Sequence, residues 1–215
     1  MCIFLLFFGY YNYTIVEFFY VFILRVSISM KNDILFIHTP KLNNYYKPIG
    51  EYIFILFIPV GLLGLADLLN RNGYKTRIIH LGVEFAKYKK IDLNKIIIEN
   101  KPDIIGLDLH WHHQSYDVIE FAKKIKIIDH NVKILLGGFT ASYFAEEIMK
   151  NFDCIDFIIK GEAEIPIIEL IKQTKSGKEY NTIPNLVYRE NNEIKSNPIR
   201  YIGLAPSAAA RLTAP

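Results

Sequence analysis

Three histidines, His110, His112 and His113, crowd around the only tryptophan of the chain, Trp111. Histidines at such density invite a zinc or iron centre. In an extended run His110 and His112 would share a face while His113 points away. Asp108 is the one other ligating group close by, so the spacing favours a polar rim in which one histidine touches a ligand. Gly137-Gly138 follows the apolar run Ile134–Leu136. Glycines there let a flat ligand approach the backbone without meeting a Cβ. Thr140 stands where it could cap the next helix, with Ala141 and Ser142 behind it. The N–H groups of a helix start can receive polar or anionic atoms, although an ordinary tight turn explains the same residues equally well. Gly161-Glu162-Ala163-Glu164 forms a third cluster. Its carboxylates suit either a helix start, where the macrodipole favours negative charge, or the hydroxyls and amides of a ligand. Pro59-Val60-Gly61-Leu62 is the fourth, and Gly61 would admit either a planar ligand or a neighbouring strand. No Gly-x-Gly-x-x-Gly follows the first apolar run and no phosphate-loop motif occurs, so nucleotide fingerprints are absent.

These clusters need elements to position them. Asp33–His38 reads as a strand. Leu62, Leu65, Ala66 and Leu69 recur at helical spacing, and Asn72-Gly73 closes that helix. Lys75–Leu81 is a second strand. Leu93, Ile96 and Ile97 mark a short helix that ends at Asn100, before Pro102. Asp103–Leu109 is the third strand, and Val118, Ala122 and Ile125 stripe the helix after it. Val132–Leu136 is the fourth strand, followed by a helix carrying Ala141, Phe144, Ala145 and Ile148. Ile155–Lys160 is the fifth, followed by a helix with Ile167, Ile168 and Ile171. Leu186–Arg189 and Glu193–Ser196 flank a turn and read as a small hairpin.

Five strands, each followed by a helix, demand crossovers and hence a parallel sheet covered on both faces. The expected fold is α/β and three-layered: a Rossmann-like, flavodoxin-like, doubly wound five-stranded parallel sheet in the order 2-1-3-4-5, with a small C-terminal hairpin. Ligands of such sheets lie beyond the carboxyl ends of the strands, so the residues just after each strand carry the functional question: His38-Thr39-Pro40, Gly82, Asp108 to His113, Gly137 to Ser142 and Gly161 to Glu164.

The composition sets the bounds. The chain has 215 residues, 51% hydrophobic and 22% charged, which excludes wholesale disorder and suits one domain. A net charge of +3 does not mark a nucleic-acid binder. Cys2 and Cys154 are the only cysteines, so neither a disulfide framework nor a three-cysteine iron–sulfur motif can form; the low usage fits a reducing cytoplasm. Residues 1–29 are apolar and aromatic, long enough for a membrane segment, but Asn12, Thr14, Glu17 and four tyrosines weaken insertion. The other reading is an extension outside the domain, because the α/β pattern starts at Met30. Residues 30–175 are expected to form the binding domain, 176–203 a hairpin and linker, and 204–215 an Ala/Pro-rich tail.

Several loops together carry a resemblance. Pro59-Val60-Gly61-Leu62-Leu63-Gly64-Leu65-Ala66, Pro102–Trp111, Leu136–Ser142, Lys160–Pro166 and Ile183-Pro184-Asn185-Leu186 occur in order. The series resembles the N-terminal cobalamin (B12)-binding domain of the B12-dependent radical SAM proteins, over roughly residues 31–200. The resemblance implies cobalamin held over the carboxyl ends of the strands, in contact with Val60, Gly61, Leu62, Leu65, Asp108, His110, Trp111, Gly137, Gly138, Thr140, Ala141, Ser142, Gly161, Glu162 and Glu164. In the broader family a Ser-x-Leu after the third strand and a Gly-Gly after the fourth enclose the nucleotide tail. Here Asp108 holds the Ser position, His110 the Leu position, and 28 residues separate Asp108 from Gly137. A valine at Gly138 would then fill the tail groove and leave the fold intact. The Asp-x-His-x-x-Gly loop that supplies a cobalt-ligating histidine is missing after His38-Thr39-Pro40. The resemblance therefore implies base-off cobalamin with no histidine from that loop on cobalt, and Val60–Leu65 beside the lower face of the corrin. The [4Fe-4S] cluster and S-adenosylmethionine of such enzymes would belong to a radical SAM domain absent from this chain, which would make it a fragment without catalysis of its own. The competing expectations are a cofactor-free, receiver-like domain and a binding domain anchored in a membrane through residues 1–29. A receiver would want an acidic pair after the first strand, where His38 and Thr39 stand instead.

Overall fold

Ile34–His38, all apolar but for its last residue, forms the central strand β1 and is buried at every position. The computed structural model describes residues 31–39, 60–88, 90–191 and 193–200. Residues 1–29 and 204–215, and the membrane and tail readings attached to them, lie outside these. Among the described residues no helix is long and apolar enough to cross a membrane.

Helix α1 (Val60–Arg71) leads into β2 (Thr76–His80). It stops because Gly73 takes a left-handed φ of 81° and the Asn72 side chain donates to the Leu68 carbonyl. The next helix, α2 (Leu81–Tyr88), starts at once where the sequence pattern places only a strand end. It has no apolar stripe to read, since Val83 and Phe85 are exposed. Helix α3 (Leu93–Asn100) is capped by Asp92, whose carboxylate accepts from the Lys95 N–H at 3.0 Å. Then come β3 (Ile104–Asp108), a 3-10 turn over His112–Gln114, α4 (Ser115–Ile128) and β4 (Lys133–Gly137). The single helix expected after β4 is two, α5 (Phe139–Tyr143) and α6 (Ala145–Asn151), which meet at Phe144. Strand β5 (Phe157–Ile159) and α7 (Glu164–Ser176) follow, then β6 (Leu186–Glu190) and β7 (Glu193–Ser196).

The sheet order is β2-β1-β3-β4-β5-β6-β7. The first five strands are parallel, in the expected order 2-1-3-4-5. The hairpin does not stand apart: β6 pairs antiparallel with β5 and extends the sheet to seven strands. Because side chains alternate across a strand, two cores form. One face packs Ile37, Leu107 and Leu136 against α3, α4 and α6. The other packs Ile34, Phe36, Ile104, Leu135, Phe157 and Ile159 against Leu62, Ala66 and Leu69 of α1 and Ile167, Leu170 and Ile171 of α7.

Asp156 ties the amino-terminal edge together. Its carboxylate accepts from the Ile134 N–H at 2.8 Å and pairs with Lys126 at 2.7 Å and Lys133 at 3.1 Å. Its loss strands a backbone donor and takes the carboxylate from two ammonium groups, of which Lys126 keeps the Val132 carbonyl at 2.8 Å. Asp156→Ala is therefore expected to lower the free energy of unfolding by about 2 kcal/mol, read from urea denaturation.

Candidate functional site

The residues that project toward α1 and α7 from the ends of four strands surround a cavity of about 750 Å³. Phe36 and His38 come from β1, Gly106 and Asp108 from β3, Leu135 and Gly137 from β4, and Ile159 from β5. These positions alternate along their strands, and the β1–β3 register (Phe36 beside Gly106, Ile37 beside Leu107) sets them level. Val60, Gly61, Leu62 and Leu65 of α1 form the opposite wall, and Gly161 to Glu164 with Ile167 close one end. Val60 and Trp111 line the cavity yet are 80% and 57% exposed, so they stand at its mouth. The volume lies in the range of cofactor and small-molecule sites, and the lining is largely apolar.

The adjacent glycines at the end of β4 and just after it do different work. A side-chain carbon at Gly137 would meet nothing within 4 Å, so this residue leaves the cavity open. At Gly138 the backbone has φ 105° and ψ 173°, a region open essentially to glycine alone. A carbon there would stand 2.8 Å from the Leu109 carbonyl oxygen, so its missing side chain admits the neighbouring loop and not a ligand. The expectation that valine at Gly138 fills the groove and spares the fold is therefore corrected.

Twelve of the sequence-derived residues line the cavity: Val60, Gly61, Leu62, Leu65, Asp108, His110, Trp111, Gly137, Gly138, Gly161, Glu162 and Glu164. Thr140, Ala141 and Ser142 do not, and instead clamp the surrounding loops. The Thr140 hydroxyl donates to the His110 carbonyl at 3.0 Å, the Ala141 N–H to the Leu109 carbonyl at 3.2 Å, and the Ser142 hydroxyl accepts from the Gly161 N–H at 3.0 Å. Thr140 thus lies within α5, whose cap is Gly138. Helix α7 is capped by Ala163 without a side-chain bond, so Glu162 and Glu164 are free of that duty; Glu164 keeps the favourable first-turn position. The Ile183-Pro184-Asn185-Leu186 motif also acquires a reason. Asn185, buried with a left-handed φ of 64°, donates from its amide to the Glu162 carbonyl and accepts the Arg200 N–H. It pins the loop that carries Glu162. Lys160 fixes the other side of that loop by bonding Glu146 at 3.2 Å, and this hydrogen bond holds the Glu146 carboxyl below its ordinary range.

The histidines divide differently from an extended run. The 3-10 turn carries His113 to the cavity with His110, and His112 to a smaller cleft of about 340 Å³ beside α4. His110 packs between Trp111 and Phe139, with ring centroids 4.8 and 4.7 Å away. Among the described residues no group of three ligating side chains converges on a metal position.

Two polar residues stand outside the expected cofactor contacts, although His38 falls at the strand-end rim. His38, at the end of β1, is 5% exposed, and its Nδ1 lies 2.8 and 2.9 Å from the two oxygens of Asp108, itself 6% exposed. Gln114 donates to the Thr39 carbonyl at 3.1 Å and accepts the Trp111 N–H at 3.2 Å, tying the β3 loop to the end of β1. The alternation of β1 could have found His38, two residues after the cavity-facing Phe36. Its meeting with Asp108, seventy positions away, is a product of strand order.

A parallel sheet with a glycine-floored, mostly apolar slot at its carboxyl rim defines a cofactor-holding α/β module. Residues 47–171 match the B12 binding domain, and the chain belongs to that family. It is 32% identical over 142 residues to the uncharacterized methyltransferase PH0819 of Pyrococcus horikoshii, covering 66% of this chain and 30% of the relative. It is 24% identical over 136 residues to the hopanoid C-3 methylase of Methylococcus capsulatus, covering 63% and 26%. In three dimensions it superposes on the radical S-adenosylmethionine methyltransferase TsrM of Kitasatospora setae with a TM-score of 0.61 and 18% identity, covering 77% of this chain and 30% of TsrM. The cobalamin-dependent S-adenosylmethionine radical enzyme OxsB gives 0.60 at 17% identity, covering 80% and 23%. The chain thus spans under a third of the length of these proteins.

Proposed function

We propose that this chain is the cobalamin-holding module of a cytoplasmic B12-dependent radical SAM enzyme, of the kind that transfers methyl groups. The observation that carries the reading is the slot itself, coupled to the family membership. A large macrocycle with a dangling arm needs an apolar wall, an open floor and a wide mouth. Val60, Gly61, Leu62 and Leu65 supply the wall, and Gly137, where a side-chain carbon would meet nothing within 4 Å, supplies the open floor. The residues present therefore fit the cofactor.

On this reading Gly61, Leu62 and Leu65 face the corrin, while Gly137, Asp108 and His38 line the path of the nucleotide arm. Gly161, Glu162 and Glu164 offer polar atoms at the closed end. When bound, cobalamin would carry a methyl group or assist a radical step; the chain holds, orients and partly desolvates it. Two cysteines cannot ligate a [4Fe-4S] cluster, so the cluster and S-adenosylmethionine would reside in a separate radical SAM domain. The benzimidazole is expected off the cobalt, with no ligand from the loop after β1. A receiver role is disfavoured because Asp108 is buried and committed to His38.

The test is direct. The full chain mixed with hydroxocobalamin and passed through a desalting column is expected to emerge red, with about one cobalt per protein. The Co(II) form should lack the nitrogen splitting of a bound base in its paramagnetic resonance spectrum. A colourless eluate overturns the assignment.

A further inference from the structure

Asn185 is 2% exposed and places each of its four polar atoms in a hydrogen bond. Its backbone N–H donates to the Pro198 carbonyl at 3.1 Å, and its backbone carbonyl accepts the Lys160 N–H at 2.8 Å. Its side-chain amide donates to the Glu162 carbonyl at 3.1 Å, and its side-chain oxygen accepts the Arg200 N–H at 2.6 Å. The four partners fall into two groups. Lys160 and Glu162 flank Gly161 in the loop that closes one end of the slot, whereas Pro198 and Arg200 belong to the segment that leaves β7. Asn185 comes just before β6, the strand that separates β5 from β7, and so it stands between the two groups.

A left-handed φ of 64° suits glycine best, and glycine would make the same turn with the same two backbone bonds. What asparagine adds is a planar carboxamide whose two ends turn together on one torsion. A rotation that breaks the bond to Glu162 also swings the oxygen away from Arg200. One rigid group therefore joins the slot loop to the outgoing segment. Gly161, Glu162 and Glu164 all line the cavity, so a ligand seated there lowers the freedom of this loop, and with it the freedom of the amide. We propose, resting on the cobalamin reading above, that Asn185 is a positioning residue that couples occupancy of the slot to the fixing of Pro198–Arg200. It works as a latch: filling the slot holds the Glu162 carbonyl, the carbonyl holds the carboxamide, and the carboxamide holds the Arg200 N–H. In a module that serves a separate catalytic domain, the latch makes cofactor loading legible outside the slot.

The full chain and its Asn185→Gly and Asn185→Asp variants are treated with trypsin, with and without hydroxocobalamin, and cleavage after Arg200 is timed by mass spectrometry. Cleavage after Lys124, in α4, gauges general stabilisation. In wild type the cofactor is expected to slow cleavage after Arg200 about fivefold more than cleavage after Lys124. Asn185→Gly keeps the left-handed backbone and both backbone bonds and loses both side-chain bonds. It should lose the selective protection and, because coupling between two sites is reciprocal, bind hydroxocobalamin about fivefold more weakly. Asn185→Asp keeps an acceptor for the Arg200 N–H but sets an oxygen against the Glu162 carbonyl. It should lose the selective protection too, and it decides the matter should the glycine variant fail to fold. Selective protection that persists in either folded variant overturns the latch while the cobalamin reading stands. So does equal protection at both cleavage sites in a wild-type chain that binds the cofactor. Failure of wild type to bind hydroxocobalamin removes both proposals.

Discussion

Gly137→Leu is expected to cut cobalamin affinity by a hundredfold or more while the melting temperature stays within a few degrees of wild type. Gly137 is the last residue of β4, lines the cavity, and does not have a positive φ. A leucine can adopt its backbone, and its first carbon meets nothing within 4 Å. Relief of the glycine's conformational entropy would offset the exposure of new apolar surface. The isobutyl group must then occupy the floor of the slot, where the arm of the cofactor would lie. Spectral titration beside thermal unfolding separates the two effects. Unchanged affinity would show that the slot is not where the cofactor goes.

Gly138→Val, one residue on, should fail in the opposite way. Its backbone sits at φ 105° and ψ 173°, where any side chain brings about 1–3 kcal/mol of strain. The new carbon would also press on the Leu109 carbonyl, the group that accepts the Ala141 N–H at 3.2 Å. The combined loss is expected at roughly 3–5 kcal/mol, lowering the melting temperature by about 6–20 °C for a chain of this size. Any fall in cofactor binding would follow from that unfolding. A valine variant that melts with wild type would refute the close approach. Neighbouring glycines, identical in the sequence, thus serve a cavity and a backbone crossing respectively.

The elements themselves were largely readable. Continuous apolar runs such as Ile34–Ile37 and Ile104–Ile105 mark strands buried on both faces, and spacings such as Leu62, Ala66 and Leu69 mark helices packed against them. What escaped was α2, which buries Leu81 but exposes Val83 and Phe85, and the break at Phe144 between α5 and α6. The hairpin was visible, but its addition to the edge of β5 was not, because edge pairing leaves no periodic mark of its own.

The candidate site divides along the same line. The loops at strand ends, with Gly61, Asp108, Gly137 and Glu162, could be placed by counting along the chain, because a parallel strand–helix order forces them to one rim. The His38–Asp108 contact, the turn that sends His112 and His113 apart, and the distinct tasks of Gly137 and Gly138 could not. Hydrophobic period is a property of adjacent residues and survives in the sequence. Which side chains meet depends on strand order, on register and on the face each pleat presents, and these are decided only when segments far apart in the chain pack together.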